Sequence, residues 1–188
     1  MKVNVVVDIE MCIVQKEYQW KDYPYEHEII QIGAVMMDEE YEICGEFSSY
    51  VRPKYGRIDH FIQELTGISD RDILEAPNLE KALDNMLSWL AGHEVTFYSW
   101  SKTDYVQITR EIQAKGIDEE KMEMFLDKER VKYLENVIEN DLSSFEKQVL
   151  DLYMTGMSYT QIAKVLGRDE KSTDNALQRL KSKIKKML

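Results

Sequence analysis

From Val3 to Ile9 the chain reads VNVVVDI, β-branched and almost continuously apolar, and two acids, Asp8 and Glu10, mark its end. Such a run suits a strand buried on both faces better than an edge strand, so the fold must be a sheet built around it. Side chains alternate along a strand with period two, which puts Asp8 and Glu10 on one face. Two carboxylates so placed repel each other unless a positive charge lies between them. Divalent Mg²⁺ or Mn²⁺ fits that need, because it prefers hard oxygen ligands and commonly combines a few carboxylates with substrate phosphate oxygens.

The following segments extend the sheet. After a polar, aromatic insertion from Gln15 to Glu28, the run from Ile29 to Met37 reads as a second strand and Glu42 to Val51 as a third. Asp38, Glu39 and Glu40 form the turn of a hairpin between them. Asn78 caps a helix whose apolar positions Leu79, Ala82, Leu83, Met86, Leu87 and Leu90 follow the 3.6-residue period, and Gly92 stops it. Val95 to Trp100 reads as a fourth strand and Asp104 to Lys115 as a helix ending at Gly116. This order of elements makes an α/β arrangement with a mixed sheet.

Beyond Asn140 the pattern is purely helical. Ser143 and Ser144 with Glu146 start one helix, which buries Phe145, Val149, Leu152 and Tyr153 and stops at Gly156. Ser158 and Gln161 form a capping box for a second, with Ile162, Val165 and Leu166 inward and Gly167 at its end. A third runs from Glu170, burying Ala176, Leu177, Leu180 and Ile184.

Charge divides along the same line. The chain carries 24 Lys and Arg against 35 Asp and Glu, a net of −11 that argues against binding nucleic acid through overall charge. Residues 1–130 account for −13 and residues 131–188 for +2, with seven of the basic residues in the last 24 positions. Cys12 and Cys44 suit neither a zinc site nor a disulfide framework, so a reducing cytoplasm is the expected compartment. No run approaches a membrane span, and no membrane partner is expected.

The first part of the chain resembles the DnaQ-like 3′–5′ exonucleases of the ribonuclease H-like fold, whose acid set is called DEDD. The resemblance lies in VVVDIEMC, EIIQIGAVMMD, YVRP and FIQELTGISDRDI, and in Asp104 of SWSKTDYVQI, where the family's second-motif aspartate opens a helix. It covers about residues 3–115. It implies two-metal hydrolysis of a phosphodiester. Asp8, Glu10 and Asp104 would be the catalytic metal ligands, and Leu65 and Thr66 would face the terminal nucleotide of a DNA or RNA 3′ end.

One departure matters for activity. The family's third motif supplies a His or Tyr base with an aspartate four or five residues later. His27, His60 and His93 all precede Asp104. Tyr133, Tyr153 and Tyr159 are followed at four residues by Val137, Met157 and Ala163. Asp174 is a candidate fourth ligand, but Asp169, five residues before it, is a poor base near neutral pH. Impaired activity is the expectation.

The C-terminal SYTQIAKVLGR and KSTDNALQRLKSK resemble region 4 of bacterial sigma factors, of the sporulation and stationary-phase type. In that likeness Ala163 and Gly167 form a helix-turn-helix crossing, and the helix from Glu170 is a recognition helix presenting Lys171, Ser172, Asn175, Gln178 and Arg179 to duplex DNA. RNA polymerase is a further candidate partner, although nothing resembles sigma region 2. The expected organisation is a truncated ribonuclease H-like domain at 1–116, a linker at 117–140, and an all-α helix-turn-helix domain at 141–188. Two functions fit: an exonuclease brought to DNA by its tail, or a non-catalytic DNA-binding regulator whose exonuclease-like domain is a degenerate interaction module. In a third arrangement, residues 117–188 complete the exonuclease fold.

Overall fold

The computed structural model describes residues 1–99, 102–127, 131–133, 142–154 and 157–187. Trp100, Val137, Gly156 and the side chain of Ile184 lie outside the described residues. The chain separates into two compact units, Met1–Tyr133 and Leu134–Leu188.

The first unit is built on β1 (Lys2–Val14), β2 (His27–Met37), β3 (Ile43–Tyr50), β4 (Gly56–Arg57), β5 (Glu94–Ser99) and β6 (Val131–Tyr133). The sheet order is β3-β2-β1-β5-β6, and β4 pairs with the end of β1. The pairs β1–β2 and β2–β3 are antiparallel, while β1–β5 and β5–β6 are parallel. The expected hairpin forms, with Asp38 Oδ1 accepting the Glu40 and Glu42 N–H groups. Between the strands run α1 (His60–Thr66), α2 (Asp70–Leu74), α3 (Leu79–Leu90), α4 (Lys102–Ala114) and α5 (Glu123–Leu126). Asn78 caps α3 through the Lys81 N–H, as its sequence predicts.

In the first unit the structure corrects the sequence at three places. The first strand does not end at the acids: it continues to Val14, because Ile13 and Val14 pair with Arg57 and Gly56. Nor is it buried on both faces. Val3, Val5, Val7 and Ile9 are buried against α3 and α4, whereas Asn4, Val6, Asp8 and Glu10 on the other face are half-buried or exposed. Finally, the stretch expected to be a linker contributes α5 and β6, whose Val131–Tyr133 backbone extends the sheet beside β5. That strand is three residues long, too short to show a period of its own in the sequence.

The second unit contains α6 (Ser144–Met154), α7 (Tyr159–Leu166) and α8 (Glu170–Met187). Val149, Ile162, Ala176 and Leu177 form its centre, joined by Leu142, Leu150 and Leu180. Ser158 and Gln161 make the expected capping box, and Gly167 ends α7 in the left-handed region at φ +61°. Val165, expected inside, is exposed, as is Tyr153.

Candidate active site

Asp8 and Glu10 stand on the open face of β1, the central strand. Residues facing each other in an antiparallel pair share a face, and Gly33 faces Asp8. A groove of about 510 Å³ therefore opens beside Asp8, over Val6, Gly33, Val35, Glu46 and Ser48. Just past Glu10 the pairing with β2 slips, Glu10 facing Gln31 and Met11 facing Ile29, so Ile30 is the extra residue of a bulge. Ile30 joins Cys12, Ile62, Ile68 and Ile73 in a second cluster, which seats α1 and α2 on this face beyond the acids.

Asp104 lies in the first turn of α4, where a negative charge suits the helix N-terminus. It is buried and accepts a hydrogen bond at 3.0 Å from Ser99 Oγ at the end of β5. Ser99 was not legible as a site residue, because one Ser at a strand end carries no pattern.

The charge of Asp104 reaches both acids of the strand. Partial burial, then the charge of Asp104, raise the Asp8 carboxyl above its ordinary range. Glu10 is raised by burial, then by Asp8 and Asp104. Among the described residues, no three Asp, Glu, His or Cys converge tightly enough to make a finished metal cage. The donor set nevertheless fits a hard divalent cation: all oxygen, excess negative charge, open to further oxygens from a ligand. No histidine joins it. His60 lies against Glu64 on α1 at 3.5 Å, His93 Nδ1 against the Leu90 carbonyl at 3.3 Å, and the His27 carbonyl accepts from Gln107.

Leu65 is 69% exposed at the end of α1, so it is not core. Thr66 is less available, since its hydroxyl donates to the Ile62 carbonyl at 2.8 Å and accepts the Ile68 N–H at 3.1 Å.

A family model described as an exonuclease, of the RNase T type, matches residues 5–187. The chain belongs to the exonuclease family. Membership implies dependence on a divalent metal in general. Among solved structures, the 3′-exonuclease described in 3′-end-specific recognition of a histone mRNA stem-loop is similar at a TM-score of 0.64 and 16% identity, covering 99% of this chain and 81% of that one. Cell-death related nuclease 4 is similar at a TM-score of 0.51 and 24% identity, over 62% of this chain and 41% of that one. Both likenesses concern the fold. A 66-residue segment is 44% identical to the RNA polymerase sigma-H factor of Bacillus subtilis, covering 35% of this chain and 30% of the sigma factor. The chain thus spans under a third of that curated relative.

In the second unit, Lys171, Asn175, Gln178 and Arg179 are exposed on α8, Ser172 is half-buried, and Asp174 stands half-buried on the same helix. Arg179 is partly engaged: its Nε lies 3.5 Å from Glu146 Oε1 on α6, and Lys183 Nζ lies 2.8 Å from Glu146 Oε2. Burial alone would raise the Glu146 carboxyl, but hydrogen bonds from Lys183 and Ser143 outweigh it and pull the carboxyl down to about 2. Among the described residues, no helix is long and apolar enough to cross a membrane.

Proposed function

We propose that this exonuclease-family chain is a metal-dependent 3′–5′ exonuclease acting on DNA or RNA ends, slowed by a missing base, and brought to duplex DNA by its second unit. The observation that carries the proposal is the placement of Asp8 and Glu10 together on the open face of β1, with Asp104 at the start of α4 near enough for its charge to raise both carboxyls. Asp8, Glu10 and Asp104 would hold Mg²⁺ or Mn²⁺. A metal held there would activate water and stabilise charge at the phosphodiester. The protein does the rest. Ser99 fixes the Asp104 carboxylate, Gly33 leaves space beside Asp8, and Leu65 offers an apolar surface to the last base. A positioned general base contributes about 10²- to 10⁴-fold, so its lack slows the reaction rather than removing it.

For the second unit, the exposed Lys171, Asn175, Gln178 and Arg179, with Ser172, suit phosphate and base-edge contacts in a major groove. RNA polymerase remains a candidate partner through the sigma likeness. That likeness also favours the second reading, a DNA-binding regulator with an inactive exonuclease-like unit.

Labelled single strands of DNA and RNA, incubated with Mn²⁺ beside an Asp8→Ala control, separate the two. Asp8-dependent loss of 3′ nucleotides supports the enzyme, and intact strands at every metal concentration sink it. Duplex binding that neither salt nor Arg179→Ala weakens removes the tether.

A further inference from the structure

In the second unit one carboxylate lies beneath the exposed side of α8. Glu146 on α6 is buried, and its Oε2 accepts the Ser143 N–H and the Ser143 hydroxyl at 2.9 Å each and the Lys183 ammonium at 2.8 Å. These donors outweigh its burial and keep the carboxyl ionised. The other oxygen, Oε1, faces Arg179, whose Nε lies 3.5 Å away. Glu146 is therefore satisfied without Arg179, and the contact acts on the guanidinium rather than on the carboxylate.

Two features turn that guanidinium outward. Held at Nε, it keeps both Nη groups for a second acceptor, and its side chain is 59% exposed. One carboxylate between Arg179 and Lys183 also leaves a single positive charge in excess. Lys171, Asn175, Arg179 and Lys183 follow one another at four-residue intervals and so form one ridge of α8. Three and four residues from Arg179 along the helix stand Asn175, Ala176, Ser182 and Lys183, none of them acidic, while Glu170 and Asp174 lie nearer the start of the helix.

We propose that Glu146 is a positioning residue for duplex DNA, holding Arg179 by Nε so that the free edge of the guanidinium meets a backbone phosphate at the rim of the major groove. This rests on the reading of the second unit as a DNA-binding module. The length of the helix favours a phosphate over a base. Arg179 lies eight residues beyond Lys171, about 12 Å along α8 at about 1.5 Å per residue. The major groove is about 12 Å wide and about 8.5 Å deep, so that distance spans it in either direction. With the first turn of α8 at base edges, Arg179 reaches the groove's rim, where the phosphates stand. Two Nη groups meet two phosphate oxygens as a fork, which a lysine ammonium cannot do.

Duplex binding by the full chain is measured in EDTA, which prevents cleavage, on two labelled duplexes of about 20 base pairs and unrelated sequence, over a range of salt. Arg179→Ala should weaken both duplexes about tenfold and lower the salt slope by about one, as loss of one phosphate contact does. Arg179→Lys keeps the charge but loses Nε and the fork, and should recover little of that affinity. Glu146→Gln should weaken both duplexes about threefold, although removing a negative charge strengthens DNA binding by itself. In the Arg179→Ala background nothing is left to position, so there Glu146→Gln should no longer weaken binding. Each variant is melted by circular dichroism, and binding is read well below its midpoint. If Glu146→Gln weakens binding equally in both backgrounds, it acts through stability and the positioning role falls. If it strengthens binding in both, only its charge matters and the role falls again. Arg179→Lys that binds as tightly as wild type overturns the proposal whether or not Glu146→Gln folds, because Arg179 is exposed and its replacement strands no buried group. Unchanged binding by Arg179→Ala overturns it too, and binding that still weakens with salt leaves the DNA-binding reading to the rest of the ridge. Wild-type protein that binds neither duplex at low salt overturns the positioning role and the DNA-binding reading together; the Mn²⁺ assay on single strands judges the exonuclease separately.

Discussion

Lys115 is the sharpest test of how the first unit is held together. Its Nζ lies 2.7 Å from both Glu28 Oε1 and Glu111 Oε2, and both glutamate side chains are fully buried. Burial alone would lower the Lys115 ammonium; the two carboxylates outweigh it and hold it above its ordinary value. Lys115→Met leaves two buried acids, but they are not equally exposed to the loss. Glu28 keeps its three backbone N–H donors. Glu111 keeps the Ile29 N–H at 2.6 Å and Gln107 Nε2 at 2.9 Å, both on Oε1, while Oε2 faced Lys115. Its carboxyl is already raised by burial, against the pull of Lys115. In the variant Glu111 therefore takes up a proton. Protonating a carboxyl of ordinary value near 4.5 at pH 7 costs about 3.4 kcal/mol, which limits the damage to the low end of the 3–5 kcal/mol expected for a broken buried pair. The first unit should melt about 10 °C lower at pH 7. The sign of the pH dependence follows from the raised carboxyl: the folded variant holds a proton that the unfolded chain releases, so its deficit shrinks by about 1.4 kcal/mol per pH unit down to about pH 4.5. Thermal melts of wild type, Lys115→Met and Lys115→Met with Glu111→Gln from pH 7.5 to 5 test this, the double variant being the more stable of the two at pH 7 and nearly flat with pH. A deficit in Lys115→Met that does not change with pH would refute the assignment of Glu111 as the stranded charge.

Three further outcomes are expected. Glu146→Gln should destabilise the second unit by about 2–3 kcal/mol at neutral pH; wild type should lose that advantage as pH falls from about 4.5 towards 2, because the depressed carboxyl stabilises only while ionised, and melts showing no such convergence would count against the ion pairs. Gly56→Ala should cost about 1–3 kcal/mol in chemical denaturation, since a Cβ there collides with Cys12 Sγ and crowds Glu28, and a neutral effect would mean the β4 segment is not held as described. Ser99→Ala should weaken Mn²⁺ binding about tenfold in calorimetry with little change in melting, and unchanged affinity would remove Ser99 from the site.

Much of this was readable because the signals were local. Asn78 before an apolar 3.6-residue period, the Ser158–Gln161 capping box, and the acid pair on one strand each sit within a dozen residues, where periodicity and capping chemistry act. The unread parts depend on distant partners. The continuation of β1 past Glu10 needs β4, more than 40 residues away, and β6 exists only because β5 offers it an edge. Buried Glu28 and Glu111 look like two more acids among 35 until Lys115 is placed between them. Arg179 read as a free contact on the exposed side of a helix; Glu146, 33 positions earlier, engages it. Charge patterns tell which residues are polar, and tertiary pairing decides which are available.

The same distinction explains why the acids are placed mid-strand. A strand whose odd residues build the core must put its even residues on the opposite face, and on β1 those are Asn4, Val6, Asp8 and Glu10, with Cys12 beyond. Covering that face throughout would bury Asp8 and Glu10 with no counter-charge, at a cost of several kcal/mol per ion. Leaving it bare throughout would expose Cys12 and Ile30. The bulge at Ile30 resolves the conflict locally, because it turns one extra apolar side chain onto the acid-bearing face, where Ile62, Ile68 and Ile73 of the α1–α2 segment close over it. Cover on this face therefore reaches only to Cys12, two residues past Glu10. Gly33, opposite Asp8, has no side chain to reach across, and a Cβ at that position would touch only the Asp8 carbonyl at 3.8 Å, so the space is held open by the lack of a side chain rather than by strain. An acid pair that is fixed by a core strand, capped on one side by packed helices and open on the other can keep its geometry whatever occupies the open side.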